Sequence, residues 1–157
     1  MTVRQARWPA YTTAVLFLGY AAGKAVYAAQ GKLGFPGGPV VPAADYERYA
    51  REMMDVAAAQ WMAAANGLLG AALVLLTVTG PGRRVPRALM LLVLAVALAG
   101  VGAGAVIMVA DGFVGIGIGW QWHHGVIGIV ALGLLAATTH SYARATRPGH
   151  AELTGRS

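Results

Sequence analysis

Four runs of mostly apolar residues dominate this chain, covering about 11–30, 57–78, 88–110 and 121–142. Each is about 20 residues long, the length that crosses a hydrocarbon core of ~30 Å as a helix. In lipid a helix is the natural solution for such a run, because every backbone N–H and C=O finds its partner within the same segment. Of 157 residues, 57% are hydrophobic and 11% charged, a balance that fits a small polytopic membrane protein better than a soluble domain. The expected fold is all-α: an integral membrane four-helix bundle forming one domain over 1–157. Its first outer loop, 31–56, is expected to be partly helical, and 143–157 to be a cytoplasmic tail.

The charges set the expected orientation. Arg4 and Arg7 precede the first run, Arg83, Arg84 and Arg87 flank the turn between the second and third, and Arg144, Arg147 and Arg156 follow the fourth. Four crossings put all of these on one side. The other side carries Asp45, Glu47, Glu52, Asp55 and Asp111, five of the six acidic residues. The positive-inside rule then places both termini in the cytoplasm and the protein in the plasma membrane. A cleaved leader is the alternative reading of the first run, with Arg4 and Arg7 as its n-region and Val26-Tyr-Ala28 as its cleavage site. That run is long for an h-region and Lys24 interrupts it, so four spans are expected.

The loop 31–42 is rich in Gly and Pro and hence irregular. The stretch 45–55 has helical character, with Asp45 and Glu47 near its start and Glu47/Arg51 spaced as an i,i+4 pair. It is expected to run on into the second span as one long helix. Gly19-xxx-Gly23 and Gly100-xxx-Gly104 are spaced for close helix crossings, as are Gly67, Gly70, Gly125, Gly128 and Gly133 in the other spans. Trp8 and Tyr11 at one level, with Trp61, Trp120 and Trp122 at the other, suit aromatic belts.

Lys24 lies inside the first run, roughly 9 Å from its outer end at helical rise. An ionisable group at that depth faces a partner or a water-filled cavity, unless its stem carries the ammonium out to the interface. Tyr20, Lys24 and Tyr27 share one helix face by their i, i+4, i+7 spacing. Asp111 at the end of span three, Asp55, Gln60 and Asn66 at the start of span two, and Trp120, His123 and His124 at the start of span four lie at the same level. The opposite halves of the spans are almost free of ionisable groups, so a polar intramembrane cluster is expected in the outer part of the bundle.

Several chemistries are set aside by composition. With no cysteine, the chain has no disulfide, thiolate metal site or iron–sulfur cluster. His123, His124 and His140 all belong to span four, so one chain cannot clamp a haem between facing helices. Adjacent histidines point in different directions, so no metal is assigned to His123, His124, Asp111 or the neighbouring Met53, Met54 and Met62. The net charge of +6 is explained by topology, so no nucleic-acid partner is expected. The 115–119 glycine run lacks the preceding strand and following lysine of a phosphate-binding loop, and reads as a flexible connection. No cofactor is expected.

The segment Gly19-Tyr-Ala-Ala-Gly-Lys-Ala-Val-Tyr27, with the Gly/Pro-rich loop and four short spans, resembles a group of small actinobacterial membrane proteins of unassigned function. The Ala-, Gly- and Arg-rich composition resembles proteins of high-GC actinobacteria. Four spans alone are also similar to the DoxX-like small membrane proteins. These resemblances imply a membrane bundle and carry no activity.

The expected role is an accessory or ligand-binding membrane protein, with Lys24, Tyr20, Tyr27, Gln60, Asn66, Trp120 and His123 lining the pocket. A membrane-embedded enzyme acting on a lipid or terpenoid is the alternative, with Asp111, Asp55 and His124 as its acid–base groups. A third reading is a small-solute or proton transporter using Lys24 and His124. Membrane lipids and a small hydrophobic ligand are the expected partners, with self-association or a larger membrane complex as further options.

Overall fold

The computed structural model describes residues 5–116 and 119–147. Arg4, Arg156, Glu152, the tail after Arg147 and the centre of the 115–119 glycine run lie outside them. Five helices follow in order: α1 (Trp8–Ala29), α2 (Ala43–Glu52), α3 (Val56–Leu76), α4 (Arg87–Val114) and α5 (Trp122–Ala145), with a 3₁₀ turn at Pro81–Arg84 before α4.

Local chemistry fixes most of the boundaries. Pro9 sits in the first turn of α1, where its missing N–H costs nothing and its fixed φ suits the helix. The side chain of Asp55 accepts from the amide of Ala58 and so caps α3. Pro86 is extended, and α4 starts at the next residue. Gly115 ends α4 in the left-handed conformation at φ 74°, donating its N–H to the Asp111 carbonyl. Gln121 and His124 form a reciprocal capping box at the start of α5.

The stretch expected to run continuously into the second span is broken. α2 stops at Glu52, Met53 caps it by donating its N–H to the Tyr49 carbonyl, and Asp55 is extended at ψ 132°. The cap that Asp55 gives α3 requires that extension, so one long helix and this cap are mutually exclusive. Asp45 does lie in the first turn of α2, but it is Arg48 that it binds, at 2.9 Å. Among the described residues this i,i+3 contact replaces the anticipated Glu47/Arg51 pair.

α3, α4 and α5 are long and apolar enough to cross a membrane. α1, with 22 residues, is long enough, but Lys24, Tyr11, Tyr20 and Tyr27 dilute its apolar character and it does not join them. The most extensive pairings are α1 with α3 and α4 with α5, and an α1–α5 contact joins the two pairs. The shared core contains Ala14, Ala71, Val74, Met90, Leu94, Leu135 and Tyr142. Across the α1–α5 seam the Thr13 and Thr138 hydroxyls lie 3.4 Å apart, while each bonds a carbonyl one turn back in its own helix. Much of the buried surface is small or polar, whereas Val15, Leu69, Leu92, Val96, Val106 and Ile107 are each exposed. That inversion of the usual inside–outside rule suits a lipid surround.

The crossing points are not where the paired glycines lie. Gly19, Gly100 and Gly104 face open space, and Gly23 meets the ring of Phe35 in the loop. The close approaches are at single glycines. A Cβ on Gly67 would come within 3.0 Å of Ala21 and of the Phe17 carbonyl on α1, and one on Gly128 would lie 3.3 Å from the Ala105 backbone on α4. Trp8, Tyr11, Trp61 and Trp122 are exposed, as belt residues are, but Trp120 is half-buried. The end of the molecule with 31–42 is called the loop end, and the end with Pro81–Arg84 the arginine end.

These contacts predict an asymmetry among the glycines. Gly67→Ala forces the α1–α3 pair apart and lowers stability by about 1–3 kcal/mol. Gly104→Ala enters open space and is neutral or stabilising by up to ~1 kcal/mol through helix propensity. Thermal unfolding of the two variants in the same detergent checks the order, and equal melting temperatures would contradict the assigned crossing.

Candidate functional site at the loop end

An irregular loop exposes carbonyls that no helix or sheet satisfies, and each one kept from water needs a donor. The 31–42 segment folds over the loop end with Gly31, Gly34 and Gly37 at positive φ, a region other residues rarely enter. Gly34, at φ 113°, turns its carbonyl toward α1 and α3. That oxygen accepts from Lys24 Nζ at 2.8 Å and from Gln60 Nε2 at 2.9 Å. Gln60, at 2% exposure, uses the same amide nitrogen to bond the Lys32 carbonyl at 2.8 Å. The Tyr46 hydroxyl of α2 donates to the Gly31 carbonyl at 2.9 Å.

α5 supplies the next donor. His124 Nδ1 accepts from the Gln121 amide at 3.1 Å, so its proton is on Nε2, which donates to the Gly37 carbonyl at 2.9 Å. Trp120 packs on Gly38 and stands edge-on to His124, with centroids 4.8 Å apart. The loop ring of Phe35 stacks on Tyr20, centroids 5.8 Å apart, and Lys24 Nζ lies 5.7 Å from the Tyr20 centroid, within cation–π range. Helices α1, α2, α3 and α5 are therefore all tied to one loop.

The expected site residues divide accordingly. Lys24, Tyr20, Gln60, Trp120 and His124 meet the loop directly, and the Tyr27 ring lies beside Gly34. The others lie elsewhere. Asp55 is an exposed helix cap. Asn66 is exposed on α3. His123 is exposed, its ring 4.0 Å from that of His124 and edge-on to Trp122. Asp111 is buried, and its Oδ2 accepts from the amides of Gly119 and Trp120 at 2.9 and 2.8 Å. It organises the α4–α5 connection and makes no ion pair with Lys24 among the described residues.

Gly31, Gly34, Gly37, Phe35 and Tyr46 complete the arrangement and were not anticipated. The density of glycines in 31–38 was the available signal, since a loop so built must turn its carbonyls to outside donors. Among the described residues every buried side-chain nitrogen and oxygen has a partner, and no three His, Asp or Glu side chains gather as a metal would need.

No family model, curated protein or solved structure matches this chain. Its chemistry is therefore read from geometry alone. Beside the loop lies an open cleft of ≈ 630 Å³, with Lys24 and Gly34 lining it together with Leu33, Pro39, Val40, Val41 and Met53, and with Tyr49, Asp45, Arg48 and Glu52 of α2. Such a volume suits a small amphipathic molecule. Lys24 has three N–H donors and, among the described residues, one hydrogen bond, so its ammonium retains capacity toward the cleft.

Gln60→Leu preserves bulk but leaves the Lys32 carbonyl without its donor and Gly34 with one. Each orphaned group costs about 1–3 kcal/mol. Faster hydrogen exchange across 31–42 in this variant, with α4 and α5 unchanged, is the expected result.

Proposed function

We propose that the chain is a four-span plasma-membrane protein, both termini cytoplasmic, in an accessory ligand-holding role. The ligand is an amphipathic molecule whose acceptor-bearing headgroup binds Lys24 in the loop-end cleft. The carrying observation is the state of the Lys24 ammonium: half-buried, lining the cleft, and held by one carbonyl at 2.8 Å with no carboxylate partner among the described residues. In such a setting a carboxylate, phosphate or carbonyl oxygen adds a charge-assisted hydrogen bond, while the Leu33, Val40, Val41 and Met53 side chains take the apolar part.

The fourth span in this reading is α1. Its one formal charge within the membrane is Lys24, and that charge sits near the loop end, within reach of polar partners. The arginine distribution supports the orientation. The acid–base alternative has less support, because Asp111, Asp55 and His124 are each committed to backbone groups of this chain. A transport path has less support too, since no ionisable side chain continues the loop-end cluster through the middle of the helices.

Two experiments test the proposal. The chain has no cysteine, so single-cysteine variants report topology without background. Val40→Cys, in a residue 91% exposed, is expected to react with a membrane-impermeant maleimide in intact cells, and Arg84→Cys only after lysis. The opposite pattern would reverse the orientation. For the ligand, dodecanoate is expected to raise the melting temperature of the purified protein more than dodecanol does. Lys24→Met is expected to weaken dodecanoate binding about tenfold, the loss of ~1.4 kcal/mol. Equal binding by the variant would remove Lys24 from the role assigned here.

A further inference from the structure

A second cleft, of ≈ 580 Å³, opens at the arginine end, outside everything described above. Arg7 at the start of α1, Arg83 and Arg84 in the 3₁₀ turn, and Arg87 opening α4 all line it. Among the described residues no acidic one does. Arg87 is partly occupied: its guanidinium donates to the Thr146 hydroxyl at 3.2 Å and reaches the Ala143 carbonyl at 3.5 Å, tying α4 to the end of α5. Among the described residues Arg7, Arg83 and Arg84 have no side-chain hydrogen bond and no ion pair. Three guanidiniums around one recess, with no counter-charge among the described residues, form a site for a multivalent anion.

The location decides which anion. The cleft lies at one end of α3 and α4, the level at which Trp8 and Tyr11 stand exposed. Val78, Val85 and Pro86 line it beside the arginines, so apolar surface for a lipid's acyl portion adjoins the cations. We propose that this cleft binds the phosphate headgroup of an anionic glycerophospholipid. The arginines of such a turn also orient the chain; orientation requires their charge at this end, but not their convergence on a recess. Basic recesses between spanning helices are a recurring form of lipid-headgroup site.

The test is a titration of the purified full chain with phosphatidylglycerol or phosphatidylcholine in neutral detergent, read by native mass spectrometry and by thermal shift. The wild type is expected to retain phosphatidylglycerol saturably and phosphatidylcholine weakly. Arg83→Gln/Arg84→Gln is expected to weaken phosphatidylglycerol binding about tenfold or more, two near-surface cations being lost. Arg144→Gln/Arg147→Gln removes two charges at the same end that do not line the cleft, and is expected to retain wild-type binding within about twofold, being outside the contact shell. Equal losses in the two double variants would show diffuse charge attraction and overturn the site. An equal thermal shift from inorganic phosphate, without lipid, would overturn the lipid assignment. Should the glutamine pair not fold, Arg83→Lys/Arg84→Lys is measured instead. A loss at unchanged charge supports forked guanidinium–phosphate contact, and unchanged affinity overturns it.

Discussion

The Gly34 carbonyl is the point on which the loop end depends. An ammonium from α1 and an amide from α3 converge on that one oxygen, and the same amide also holds the Lys32 carbonyl. The arrangement resolves two costs together. Lys24 sits in a largely apolar helix, where an unpartnered ammonium is expensive, and the glycine-rich loop carries carbonyls, those of Gly31, Lys32, Gly34 and Gly37, that take donors from the helices. Each satisfies the other without a carboxylate. The positive φ of Gly34 turns the oxygen toward both donors, so backbone freedom at one residue positions a charge on another helix.

The apolar runs were readable because their length and composition have few other uses, and the helices overlap them to within a few residues at most ends. The polar level at the loop end was readable too, from Lys24, Gln60, Trp120 and His124 at matching depths. Their use was not. Residue spacing places donors on a helix face but cannot show that the acceptors are main-chain oxygens of a loop with no period of its own. Asp111 illustrates this: its depth made it a natural partner for Lys24, yet its oxygen is committed to amides only eight and nine residues ahead. The glycine spacings misled for a related reason. In helices this rich in Ala and Gly, small residues recur by chance, and crossing depends on what faces them. Gly100 and Gly104 face nothing, whereas Gly67 and Gly128 lie against a neighbour.

The two ends of the molecule solve opposite electrostatic problems. At the loop end the Lys24 ammonium and an imidazole are bound to neutral carbonyls, and the one ion pair among the described residues is on α2. At the arginine end several cations gather with no acid among the described residues, as only a surface in contact with water or phosphate tolerates. Between them the helices are held by an apolar core that includes Ala14, Ala71, Leu94 and Leu135, with the Thr13–Thr138 contact toward the arginine end, and little polarity links one end to the other.

The bonds that join the halves also impose an order on biosynthesis. Gly37 and His124 are 87 positions apart, Thr13 and Thr138 are 125 apart, and Ala6 and Ser141 are 135 apart. Each hairpin, α1 with α3 and α4 with α5, can assemble from neighbouring chain as it leaves the ribosome. Lys24, Tyr46 and Gln60 can fasten the first part of the loop early, but the Gly37 carbonyl must wait for His124, so the nascent protein passes through a stage in which that end of the loop and the seam face of α1 are bare. Completion of α5 is the event that closes them.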